Sequence, residues 1–137
     1  MARNHNLFIS HSWAHGYSYD GLINLINNRP YFIYTNFSVP IDDPIHTNGT
    51  NKQLYEAIYN KILRSGVVII LAGVYSSYSK WIDKEINIAK KGFRYPKPIL
   101  AIEQRGSQRS SRVVIDNADI VVSWNTESII NAIRQLN

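Results

Sequence analysis

Short apolar runs alternate with amphipathic segments along the whole chain. Five runs have the length and the β-branched or aromatic content that is typical of strands. They are residues 6–10, 31–35, 67–73, 98–102 and 118–124. The run VVIILAG is continuously apolar, as expected for a central parallel strand that is covered on both faces.

The segments between these runs carry apolar residues at helical spacing. They predict helices over residues 19–28, 51–66, 80–92 and 126–136. Pro30 closes the first helix, Gly66 suits the end of the second, and Asn125 or Thr126 caps the last. The second helix is expected to bury Leu54, Ala57, Ile58 and Ile62.

Strands that alternate with helices predict an α/β fold with a parallel sheet and helices on both faces. Short, right-handed connections favour a doubly wound, flavodoxin-like arrangement of five strands. We found no repeat or linker, so residues 1–137 are expected to form a single domain. Ligands of such sheets bind at the carboxyl ends of the strands. That edge would carry the loops HSWAHGYSYD, FSVPIDDPIH, GVYSSYSKW and EQRGSQRSS.

Composition limits the class of protein. The 137 residues are 45% hydrophobic and 18% charged, which are globular values. The chain has no cysteine, no secretory signal pattern and no apolar run near the roughly 18 residues of a membrane span. We therefore expect a cytoplasmic protein without a membrane segment. The net charge of +5 favours anionic ligands but selects none of them.

Several common sites are excluded by their missing motifs. The turn after the first strand has no G-x-G-x-x-G, and the chain has neither a Walker A sequence nor a G-x-S-x-G elbow. The third strand does not end in the aspartate of a phosphoacceptor domain. The four histidines are scattered over two predicted loops and the amino-terminal residues, outside the predicted helices, so no metal site is expected.

Glu85 is out of place in its predicted helix. Successive helical positions advance by about 100°, which gathers apolar side chains into one stripe. The stripe consists of Trp81, Ile82, Ile86, Ile88 and Ala89. Glu85 lies within it, and Tyr75 and Tyr78 are close in sequence. The ordinary explanation is a carboxylate that reaches solvent or pairs with a lysine or arginine. The alternative is a carboxylate beside aromatic rings that faces a cationic, planar substrate.

Four features of the sequence together resemble a TIR domain. They are FISHSW after an opening strand, the long loop after the second strand, the W-x-x-x-E of residues 81–85 after VVIILAG, and the short final helix. More closely, the chain is similar to the TIR-like proteins of bacterial Thoeris anti-phage systems, the ThsB type. The resemblance covers essentially the whole chain.

The resemblance implies an NAD-cleaving enzyme that breaks the bond between nicotinamide and ribose. The family's catalytic glutamate lies in the W-x-x-x-E helix, which assigns that role to Glu85. The product would be a cyclic ADP-ribose isomer or an ADP-ribose conjugate that activates an effector of the ThsA type. NAD is the substrate, and no cofactor is expected. Self-association through TIR–TIR contacts is also implied.

The residues agree with this chemistry. Nicotinamide is a cationic leaving group that departs neutral, so one carboxylate suffices to stabilise an oxocarbenium-like transition state. The loops supply expected substrate contacts. Ser10, His11 and Ser12 would meet the pyrophosphate, whereas Asp42 and Asp43 would shape their loop or contact ribose. Aromatic residues would stack on the substrate rings: Trp13, Tyr75, Tyr78 and Trp81.

Two other functions remain open at this level. The same fold serves as a non-catalytic interaction module, although the retained Glu85 argues against that use. The basic residues of the last third allow a nucleic-acid binder, but no recognition motif accompanies them, and no nucleic-acid partner is expected. The loop SVPIDDPIH departs from the pattern of receptor-type TIR domains, so docking to animal-type adaptors is not expected.

Overall fold

A computed structural model describes residues 4–10, 17–38, 50–72, 79–103 and 112–137. The strands are β1 (Asn4–Ile9), β2 (Ile33–Asn36), β3 (Val67–Leu71), β4 (Ile99–Glu103) and β5 (Ile120–Ser123). The helices are α1 (Tyr17–Asn27), α2 (Asn51–Arg64), α3 (Ser79–Lys91), α4 (Arg112–Asn117) and α5 (Thr126–Leu136).

The five strands form one sheet in the order β2-β1-β3-β4-β5, and every pairing is parallel. This is the flavodoxin-like strand order, so the predicted fold class is confirmed. β3 lies at the centre, and all five of its residues are buried. Its continuously apolar sequence follows from that position, since helices cover both faces.

Alternation along the strands divides the core into two layers. Phe8, Val68 and Ile70 face α2, α3 and α4 on one side of the sheet. Ile9 and Ile69 face α1 and α5 on the other side. The helical layers pack on these two faces because neighbouring residues of a strand point in opposite directions. The sheet is therefore doubly wound, as the sequence pattern predicts.

Side-chain caps fix the start of two helices. Thr50 and Gln53 form a capping box at α2, in which the Gln53 amide donates to Thr50 Oγ1 at 3.1 Å and the Thr50 amide to Gln53 Oε1 at 2.9 Å. Asn125, rather than Thr126, caps α5 by accepting from the Ser128 amide at 3.0 Å. The predicted bounds of α5 are confirmed.

The end of α2 lies before the predicted one. Ser65 is its C-cap with an extended backbone, so the helix stops at Arg64. Lys97 donates to the carbonyl oxygens of Leu63 and Ser65 at 3.1 and 2.9 Å. These bonds supply partners that the last turn of a helix lacks. Leu54, Ile58 and Ile62 are buried as predicted, whereas Ala57 is only half-buried.

The start of β2 and one additional helix also differ from the sequence prediction. Tyr31 has a φ of 64° and lies in a turn after Pro30, so β2 begins at Ile33. The helix α4 was not predicted. Its six residues bury only Val114, and one buried position gives no helical period that a sequence pattern reveals.

Within the described ranges, no helix combines the length and apolar character needed to cross a membrane.

The end of α3 depends on Gly92. Its amide donates to the Ile88 carbonyl oxygen at 2.9 Å, and an added Cβ would lie 2.5 Å from that same oxygen. We expect Gly92→Ala to lower the free energy of unfolding by about 1 kcal/mol or more, since backbone must move to admit the methyl group. Urea unfolding followed by tryptophan fluorescence measures the change. Asn87→Ala, on the exposed face of α3, is the control and should stay within about 0.5 kcal/mol of the parent. Equal stability of the two variants would contradict the prediction.

Candidate active site

The apolar face of α3 from Ile82 to Ala89 packs against the sheet and carries Glu85 with it. Ile82, Ile86 and Ala89 are buried in the core between α3 and the sheet. Glu85 lies among them with 0% of its surface exposed. Asp83, Asn87 and Lys91 are exposed on the opposite face. The explanation that Glu85 reaches solvent is therefore wrong.

The Glu85 carboxylate is hydrogen-bonded to Ser10. Ser10 Oγ donates to Glu85 Oε1 at 2.6 Å, although the two residues are 75 positions apart in sequence. Ser10 is itself only 1% exposed. A serine hydroxyl has one proton to donate, and a carboxyl oxygen of Glu85 accepts it here. The pair joins the end of β1 to the middle of α3.

The sheet dictates where the Ser10 hydroxyl points. Ser10 follows β1 directly, and its amide donates to the Ile69 carbonyl oxygen of β3 at 2.9 Å. Phe8, two residues earlier, packs in the layer beneath α2 and α3. Since side chains two residues apart in an extended segment share a face, Ser10 points toward α3 as well.

The pair lies at the topological switch point of the sheet. From β1 the chain crosses to β2 on one side, and from β3 it crosses to β4 on the other. Ser10 follows the carboxyl end of β1, and α3 begins after the carboxyl end of β3. Doubly wound sheets bind ligands in the crevice at this point. The location agrees with the edge that the sequence pattern selects.

A carboxylate at this position brings no clear advantage in stability. Removing an ionised carboxyl group from water costs several kcal/mol before its hydrogen bonds compensate. Ile82 and Ile86, its neighbours on the same face of α3, are apolar and buried. A leucine or methionine would fill a position of this kind at lower cost. The residue type therefore points to a chemical role more than a packing role.

Most of the other predicted site residues lie outside the described residues. These are His11, Ser12, Trp13, Asp42, Asp43, Tyr75 and Tyr78. Trp81 lies in the first turn of α3, one turn before Glu85. Their proposed contacts with substrate stay predictions. Among the described residues, no group of three histidine, aspartate or glutamate side chains is arranged to hold a metal ion.

The sequence did not reveal the partnership between Ser10 and Glu85. Ser10 was predicted as a pyrophosphate contact, and that role remains untested. Its hydrogen bond to Glu85 is a long-range feature that no local pattern encodes. One signal could have indicated it. Phe8 and Ser10 are two residues apart in an extended segment, so both side chains lie on the same face of the sheet once β1 is placed beside β3.

Comparison with known protein families gives the same assignment as the motifs. The family model described as Thoeris protein ThsB, TIR-like domain, matches residues 8–109, which is well over half of the chain. The chain belongs to this family. The matched range includes both Ser10 and Glu85 and begins within β1. Comparison with curated proteins gave no match. Membership of a Thoeris family indicates a role of this TIR-like domain in anti-phage defence.

A paired substitution tests whether the polar pair serves stability. Replacing both partners of a buried hydrogen bond by apolar groups of similar shape is often neutral or stabilising. We expect the free energy of unfolding of the Ser10→Ala, Glu85→Met double variant to be higher than that of the parent, or lower by no more than about 1 kcal/mol. Ser10→Ala alone should cost about 1–3 kcal/mol, because Glu85 then loses a donor. Urea unfolding gives both values. A paired variant less stable than Ser10→Ala would contradict the prediction.

Proposed function

We propose that this TIR-like domain cleaves NAD at the bond between nicotinamide and ribose and so produces a defence signal. The observation that supports the proposal is the buried Glu85 carboxylate, held by Ser10 at the switch point of the sheet. Glu85 is also the glutamate of the W-x-x-x-E that resembles the catalytic motif of TIR enzymes. A nearly dry site strengthens the electrostatic effect of a carboxylate on a developing positive charge.

The reaction needs one anionic group and a departing nicotinamide. The bond between the ribose C1′ and the ring nitrogen breaks, and its electron pair stays with the nitrogen, so the cationic ring leaves as neutral nicotinamide. Positive charge develops on the ribose as an oxocarbenium-like species. Glu85 stabilises that charge and orients the ribose hydroxyls. No acid is required to protonate the leaving group, unlike ordinary glycoside cleavage, which uses two carboxyl groups.

The nucleophile that then attacks C1′ decides the product. Water gives free ADP-ribose, an atom of the same molecule gives a cyclic ADP-ribose isomer, and a second molecule gives an ADP-ribose conjugate. In each case the nucleophile releases a proton. We propose that the product is one of the last two and activates a partner effector of the ThsA type. NAD is consumed as substrate, and the reaction requires no cofactor.

Residues that follow the carboxyl ends of the strands complete the proposed substrate site. His11 and Ser12 would bind the pyrophosphate, and Asp42 and Asp43 would face ribose. Aromatic rings would stack on the two bases: Trp13, Tyr75, Tyr78 and Trp81. All these residues follow β1, β2 or β3 in the chain, which is where ligands of this fold bind. Contacts between TIR-like domains would add self-association to this arrangement.

Loss of the Glu85 charge should abolish NAD cleavage. Glu85→Gln keeps the size of the side chain and an oxygen that accepts from Ser10, but it removes the negative charge. We expect NAD consumption to fall at least 100-fold, as on losing one electrostatic contact to a transition state. Mass spectrometry of the products measures consumption and identifies the nucleophile. Glu56→Gln, an exposed glutamate of α2, should leave turnover unchanged. Full activity of Glu85→Gln would contradict the assignment.

Burial of Glu85 predicts a resting state with little activity. The carboxylate has 0% exposed surface in this conformation, so substrate reaches it only after its surroundings rearrange. A constitutive NADase would also be toxic to the cell. We expect slow NAD turnover by the purified protein and at least tenfold faster turnover in lysate from phage-infected cells. Strong turnover by the resting protein would contradict this expectation.

A non-catalytic interaction module is the second candidate function. The hydrogen bond between Ser10 and Glu85 favours it in one respect, because the bond also ties α3 to β1. In that case the fold alone would serve assembly. NAD untouched by the protein in both the resting and the infected-cell assays would support the module over the enzyme.

A further inference from the structure

We infer that Ser10 is a positioning residue that fixes the Glu85 carboxylate for the reaction. The inference rests on the proposed NAD cleavage and adds a role that differs from the pyrophosphate contact predicted from sequence. It is based on the 2.6 Å hydrogen bond between Ser10 Oγ and Glu85 Oε1. Both residues are almost completely buried.

The backbone of Ser10 is tied directly to the central strand of the sheet. Its amide is bonded to the Ile69 carbonyl oxygen at 2.9 Å. The preceding Phe8 and Ile9 are fully buried, and β1 pairs there with Val68 and Ile69 of β3. A serine hydroxyl turns about one side-chain bond, whereas a glutamate carboxyl group depends on three. The bond therefore transfers the rigidity of the central sheet to the Glu85 carboxylate.

The direction of the bond separates the two roles of Ser10. A hydroxyl has one proton to donate, and that proton is directed at Glu85. While the bond persists, Ser10 cannot donate it to a pyrophosphate oxygen. A substrate contact would affect the binding of NAD and hence KM. A positioning contact acts on the transition state through Glu85 and hence on kcat.

The kinetic test uses Ser10→Ala in the conditions where the parent protein turns over NAD. We expect kcat to fall on the order of 10-fold to 100-fold, as for a catalytic group displaced by about 1 Å. KM for NAD should change less than about threefold, because binding contacts are kept. Ser10→Thr retains the hydroxyl and should recover much of kcat. Ser10→Cys has a weaker hydrogen-bond donor and should give an intermediate kcat. It replaces Ser10→Ala in the test if Ser10→Ala does not fold.

Ser65 provides a matched control. It is another buried serine, 3% exposed, and its hydroxyl donates to the Ile62 carbonyl oxygen at 2.9 Å. It lies at the end of α2, before β3, and thus at the opposite edge of the sheet from Ser10. Ser65→Ala removes the same atom and tests the effect of losing a buried hydroxyl. We expect its melting temperature to fall while kcat and KM stay at the parent values.

Each other result overturns the inference in a recognisable way. A raised KM with unchanged kcat would make Ser10 a substrate contact. A lowered melting temperature with unchanged kinetic constants, as in Ser65→Ala, would make its role structural. Faster resting turnover by Ser10→Ala would make the bond a restraint on activity. Loss of turnover in Glu85→Gln, with normal turnover in Ser10→Ala, would overturn this inference alone. A parent protein inactive even in infected-cell lysate would overturn the proposed function as well.

Discussion

The parallel pairing of β1 with β3 is the contact on which the rest of the molecule depends. It places Phe8 beside Val68 and Ile9 beside Ile69, and each pair contributes to a different layer of the core. The same pairing sets the point at which the chain reverses its direction across the sheet. It also places Ser10 against the helix that follows β3. Core, topology and candidate site therefore share one set of strand contacts.

The candidate site combines a rigid part with a part carried by loops. Glu85 and Ser10 lie on or beside regular elements whose apolar side chains pack in the core. The predicted contacts to NAD lie in the segments that follow the strands. Precise placement of a reactive group is easier on helices and strands, and recognition is more readily varied in loops. Such a division would let related domains keep one bond-breaking step and differ in the product.

The buried carboxylate shows how the site departs from the rules that govern the core. Around it, apolar residues recur with the helical period and fill the space between α3 and the sheet. Glu85 interrupts that pattern, and the Ser10 hydroxyl offsets part of the cost of its desolvation. Positions that break a local rule without a gain in stability are expected where a protein acts on a ligand. Because Glu85 breaks the helical period of the apolar positions, the interruption was visible in the sequence.

The sequence by itself determined the five strands, the alternation with helices, and the face of α3 on which Glu85 lies. These features depend on local periodicity, which each segment carries independently of the others. It also determined the family, because the motifs lie at fixed places within those segments. The tertiary structure alone decided the partner of Glu85, the turn at Tyr31 and the short helix α4. Ser10 and Glu85 meet because β1 pairs with β3 and α3 packs over both. Contacts between residues that are 75 positions apart are set by packing and leave no trace in a local pattern.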